Sequence, residues 1–131
     1  MSKFKYTQEF ELKASARMLF PYLSTASGLQ TWFADSVREL GQKKLHFVWD
    51  NEDHYAKVVV MRSNKQIKFE FENTETEDDS SPAYIELRLQ ENEMTNTTFL
   101  KVVDYSEVSD ENDLDSLWEG LVHQLREIVG G

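Results

Sequence analysis

The 131-residue chain contains no cysteine. No disulfide framework is available to it, and a cytoplasmic setting is compatible with that composition. No segment approaches the roughly 18 consecutive apolar residues of a membrane span. The N-terminal stretch Met1-Ser-Lys-Phe-Lys-Tyr-Thr7 has no long apolar run, which argues against a secretory signal. The glycines form no phosphate-cradling loop, and there is no G-x-S-x-G elbow, no cysteine nucleophile and no H-E-x-x-H pair. Without a nucleophile, a base and an oxyanion set, enzymatic chemistry has no positive support, and no catalytic residue is assigned. Cations are the minority: 14 Lys and Arg stand against 24 Asp and Glu, for a net charge of −10. Such a surface repels phosphate backbones and anionic lipid, so neither nucleic acid nor a membrane is expected as a partner. A neutral or cationic ligand, or a basic patch on a partner protein, remains compatible with it.

What is present suffices for a real core. The hydrophobic fraction is 40% and the aromatic fraction 12%, and a chain of this length fits a single domain over residues 1–131. Phe4, Tyr6, Phe10 and Leu12 alternate with polar residues, the period of a half-buried strand. The rhythm then changes: Ala16, Leu19, Phe20 and Leu23 follow helical spacing, in a helix that Pro21 keeps short or bent. A second short helix is expected from Ser24 to Phe33, capped by Ser24 or Thr25. Strand patterns follow at Val37–Leu40, Leu45–Trp49, Tyr55–Met61, Ile67–Phe71, Ile85–Leu89 and Thr97–Tyr105, with polar turns between them and an acidic loop from Glu75 to Pro82. Short spacings favour an antiparallel meander. Leu114, Leu117, Trp118, Leu121, Leu125, Ile128 and Val129 then mark a long C-terminal helix, widened by Val122. Ser109 and Asp110 are its cap candidates, and Gly130 stops it. Leu114, Leu117, Trp118, Leu121 and Leu125 are expected to bury against a concave sheet. The fold class is α+β.

Two adjacent large aromatics, Trp32 and Phe33, raise a packing question, because neighbours on a helix point about 100° apart. The order of elements around them resembles the helix-grip, or START-like, superfamily, and within it the homologues of the ATPase activator of the ninety-kilodalton heat-shock chaperone. The resemblance covers almost the whole chain. It is carried by Ala16-Arg-Met-Leu-Phe-Pro-Tyr-Leu23, by Gly28-Leu-Gln-Thr-Trp-Phe33, by Thr97-Thr-Phe-Leu-Lys-Val-Val103, and by Leu117-Trp-Glu-Gly-Leu-Val-His-Gln-Leu125. The chain departs from the family at Gly41-Gln-Lys-Lys44, where Gly-Gly is common, and at Leu19 or Phe20, where the family carries Trp. The resemblance implies a curved antiparallel sheet wrapped around a long C-terminal helix, with two short helices after the first strand and an apolar cavity inside. Trp32 would then face the core, and Phe33 would line or close the cavity mouth.

The cavity-lining candidates for ligand binding are Trp32, Phe33, Phe47, Trp49, Phe69, Phe71, Trp118 and Val122, each of which is equally suited to ordinary core packing. His54 lies beside Asp50, Glu52 and Asp53, yet nothing repeats at metal-site spacing and acids are common in hairpin turns, so no metal is assigned. His123 sits beside the helical stripe, at its wet edge. Asp110 to Asp115 fails as a calcium loop, because its sixth position is Asp115 where glycine is needed. No cofactor is expected. The leading expectation is a non-enzymatic domain that binds a small apolar molecule in the cavity. A protein-interaction module with a filled interior is the alternative, and a cyclase- or hydrolase-like enzyme comes third. An open cavity would favour the first, and a filled one with exposed apolar surface the second.

Overall fold

The computed structural model describes residues 4–72, 82–106 and 111–130. Strand β1 (Phe4–Leu12) leads into helices α1 (Ala16–Ser24) and α2 (Ala26–Leu29). Six strands follow: β2 (Ser36–Gly41), β3 (Lys44–Trp49), β4 (Glu52–Arg62), β5 (Gln66–Phe71), β6 (Tyr84–Asn92) and β7 (Thr97–Ser106). Helix α3 (Glu111–Val129) closes the chain. The strands form one antiparallel sheet in the order β1-β7-β6-β5-β4-β3-β2. The α+β helix-grip architecture is therefore present, and each strand pattern read from the sequence lies within a strand. Most of the acidic Glu75–Pro82 loop and the caps Ser109 and Asp110 lie outside the described residues.

Strand order explains why the sheet needs helices on its inner face. Residues 4–12 pair with β7, so β1 and β2 occupy opposite edges, and the segment between them must cross the concave side. Register shifts between Glu39 and Gly41 and between Val58 and Val60 mark bulges, which bend a sheet and raise its twist. The crossing is made by α1 and α2. Ser15 caps α1 by accepting from the Met18 N–H at 3.1 Å, and Thr25 caps α2 by accepting from the Gly28 N–H at 2.9 Å. Pro21 lies inside α1, which is nine residues long. The Pro21 carbonyl accepts both the Thr25 hydroxyl and the Thr25 N–H. The turn is so tight that a Cβ on Gly28 would sit 2.2 Å from the Pro21 oxygen. Only glycine fits there.

The sheet has two different faces. Tyr6, Phe10, Leu12, Leu45, Phe47, Ala56, Val58, Ile67, Phe69, Ile85, Leu87, Leu89, Leu100 and Val102 are buried on the concave side. The convex side carries a polar ladder: Arg88 donates to Glu86 at 2.7 Å, Gln66 donates to the same carboxylate, and Lys68 lies over the Tyr84 ring. In the β2–β3 hairpin Gln42 and Lys43 both adopt positive φ, 52° and 64°. Left-handed backbone costs non-glycine residues roughly 1–2 kcal/mol each.

Helix α3 requires a correction to the predicted stripe. Leu114, Trp118, Val122 and Leu125 are buried, but Leu117 is 51% exposed and Leu121 only half-buried. At about 100° per residue, the buried set is centred between Leu114 and Val122. Leu117 falls about 100° from that centre. The β1 side fixes this rotation: the Tyr6 hydroxyl donates to Asp115 at 2.8 Å, and Arg126 donates to the Glu11 carbonyl at 2.8 and 3.2 Å. Gly130, at φ 88°, ends the helix as expected.

Candidate functional site

Seven of the eight residues read as cavity-lining, all but Val122, are joined by ring contacts on the β3–β5 side of the concave face. Trp32 and Phe33 follow α2 in a turn rather than on a helix, so both neighbouring rings reach the interior. Their centroids are 5.4 Å apart. The Phe33 ring is the hub, with centroids at 5.2 Å to Trp49, 5.5 Å to Phe47, 5.8 Å to Trp118 and 6.2 Å to Phe69. Phe71 completes the set, 5.9 Å from Phe47, and Val122 lies fully buried one helical turn beyond Trp118. Edge-to-face and offset contacts of this kind are the favoured geometries of aromatic pairs. Trp49 and Phe71 remain partly buried at the margin, while Phe33 is 1% exposed.

Each indole N–H is satisfied within the fold. Trp32 donates to the Tyr22 carbonyl at 2.9 Å and Trp49 to the Phe33 carbonyl at 2.6 Å. Trp118 instead donates to a carboxylate, Asp104 Oδ2, at 2.8 Å. Asp104 was missed in the sequence reading. Its signal was parity: it shares the inward face of β7 with Thr98, Leu100 and Val102, so an acid stands where an apolar residue is expected. Burial pushes its carboxyl above the ordinary carboxylate range, and the Trp118 bond opposes part of that rise. Tyr6 lies opposite Asp104 in the β1–β7 register. Burial raises the pKa of its hydroxyl, and so do the hydrogen bond to Asp115 and the charges of Asp115, Glu119 and Asp104. The interior thus has an aromatic side and a polar side, joined by Trp118.

Of the histidines, only His54 touches the aromatic set. His54 packs edge-on against Trp49 at 5.2 Å and sits 3.8 Å from Glu52, while Asp53 engages His46 at 2.8 Å. Successive strand residues point to opposite faces, so the pleat separates His54 from Asp53. Among the described residues no group of three or more His, Asp or Glu is placed to hold a metal. His123 is exposed on α3, 3.4 Å from Glu127. Away from the aromatic interior, an open depression of about 370 Å³ is lined by Glu9, Gln90, Glu91, Asn92, Glu93 and Phe99. No helix among the described residues is long and apolar enough to cross a membrane.

Comparison with known proteins agrees with this architecture. No curated protein sequence matches the chain. The Aha1 dimer from Colwellia psychrerythraea superposes with a TM-score of 0.79 at 18% identity, covering 96% of each chain. BH1534 from Bacillus halodurans gives 0.74 at 18% identity, over 98% of this chain and 99% of that one. BfR322 from Bacteroides fragilis is 34% identical, with a TM-score of 0.63 over 98% of this chain and 92% of its own. The START-like superfamily domain matches residues 1–131. On that match, and on the grip of a curved antiparallel sheet around α3, the chain belongs to the START-like superfamily.

Proposed function

We propose that this chain is a non-catalytic, cytoplasmic binding domain that meets a partner protein through its surface and uses its aromatic interior as a scaffold. One observation carries the reading: Phe33 is 1% exposed and five rings stand around it, which leaves its part of the cup occupied by the protein itself. Occupied interiors resist new ligands, because a guest must displace contacts already packed to interior density. The apolar surface such a module needs is available, with Leu40, Leu117 and Met61 each half exposed. Native mass spectrometry of freshly expressed protein, followed by melting curves with aromatic and acyl probes, tests the reading. The bare chain and unchanged melting are expected. A co-purifying apolar molecule would sink it.

A second reading is a small apolar ligand held by Trp32, Phe33, Phe47, Trp49, Phe69, Phe71, Trp118 and Val122. The Asp104–Trp118 pair favours it, since ligand sites are apolar interiors with a few placed polar groups. Under this reading, tryptophan emission shifts on adding the same probes, and Trp118→Ala changes their affinity.

A further inference from the structure

Helix α3 carries more apolar residues than its contact with the sheet uses. Leu117 and Ile128 are 51% and 40% exposed, and Leu121 between them is half-buried. Their spacing, i, i+4 and i+11, places them within about 40° of one another, along the shoulder of the buried arc, against which Leu121 still packs. About 80° further round from that line, on the solvent side, stands Gly120, exposed and in the helix interior. A Cβ there would meet no heavy atom within 4 Å, so nothing within the described chain requires glycine. Glycine in a helix is less favourable than alanine, and its structural use is to admit another backbone closely.

The flank of this face on the Gly120 side is acidic. Asp113 and Glu127 are exposed there, about 60° and 100° round from the line, while Glu119 lies on the opposite side of the helix. Arg126 is the helix's one Lys or Arg, and it is turned to the Glu11 carbonyl on β1. His123 faces Glu127. A second copy of this chain, itself at −10, would bring the same acids against these. A cationic partner meets no such repulsion.

We propose that this face of α3 docks a basic amphipathic helix of a partner protein. Its apolar residues lie on Leu117, Leu121 and Ile128, its backbone comes closest at Gly120, and its lysines or arginines face Asp113 and Glu127. The proposal rests on the surface-binding reading above and names the surface and the partner's chemistry.

The test titrates a synthetic lysine–leucine amphipathic peptide into the full chain, following backbone amide shifts and affinity. A peptide with the same leucines and glutamate in place of lysine is the control. Shifts confined to α3 between Leu117 and Ile128, weakening with salt and absent with the acidic control, are expected. Gly120→Ala should raise Tm by about 3 °C while weakening the complex about fivefold or more. Leu117→Lys should weaken it about tenfold or more. Absence of binding, or affinity unchanged in both variants, overturns the proposal. Shifts on the convex strands instead overturn this surface and leave the protein-binding reading standing. Self-association through α3 overturns the choice of partner. If only apolar small molecules bind, and they shift interior resonances, both the proposal and the surface-binding reading fall.

Discussion

On the two sides of the concave face, β3 and β5 contribute Phe47, Trp49 and Phe69, which pack as rings against Phe33, and Phe71, which packs against Phe47 and Trp49, while β1 and β7 contribute Tyr6 and Asp104. The aromatic side is held by many weak, non-directional contacts that scale with buried area. The polar side depends on single hydrogen bonds, Trp118 to Asp104 and Tyr6 to Asp115. These bonds stabilise little when made and cost much when one partner is removed. The difference teaches where each side is fragile. Volume governs the aromatic side, and pairing and protonation govern the polar side. Trp118 belongs to both, because its ring touches Trp32 and Phe33 while its N–H serves Asp104.

The largest expected effect breaks the aromatic side at its hub. Phe33→Ala should destabilise the fold by about 3–5 kcal/mol in urea denaturation, the range for a buried ring replaced by a cavity. A loss under about 1 kcal/mol would mean that the rings are not a packed unit.

Trp118→Phe sharpens the contrast, because it keeps an aromatic ring and deletes the donor. It should cost about 3 kcal/mol at neutral pH, where a buried carboxylate loses its one indole partner. That cost should shrink in acid. The folded-state pKa of Asp104 lies above its unfolded value, so the folded chain takes up the proton first. This group therefore adds stability as pH falls through the raised pKa, and the gain is complete below the ordinary value of about 3.9. Asp104→Asn should raise the urea midpoint at pH 7 and abolish that part of the pH dependence. If wild type and Asp104→Asn follow parallel pH profiles, the polar side carries no buried charge.

The smallest effects separate the two arcs of α3. Val122→Ala should cost about 2 kcal/mol and Leu117→Ala no more than about 0.5 kcal/mol, as buried and surface positions do. Equal costs would mean that the helix is rotated from the position described.

Much of this was written locally. Alternation located strands such as Ile67–Phe71, since the side-chain period in a strand is two whatever it packs against. The first short helix followed from the spacing of Ala16, Leu19, Phe20 and Leu23, and the second from its Thr25 cap, although it ends at Leu29 and not at Phe33. The aromatic set was legible because large rings are rarely left outside a core. Two things were not legible. Asp104 was hidden inside an ordinary strand pattern, and only its parity with Leu100 and Val102 betrayed it. The rotation of α3 was ambiguous, because Leu117 through Val122 spans an arc of roughly 140°, wider than one contact buries.

The sequence by itself determined the order and type of the elements, because periodicity, caps and turns are short-range properties of the chain. Tertiary structure alone decided which leucines of α3 face water, because Arg126 and Asp115 are held by residues of β1 more than 100 positions earlier. It also decided that Trp118 meets a carboxylate, since the strand register that sets Asp104 beside Tyr6 and under the helix exists only once the sheet has closed around it.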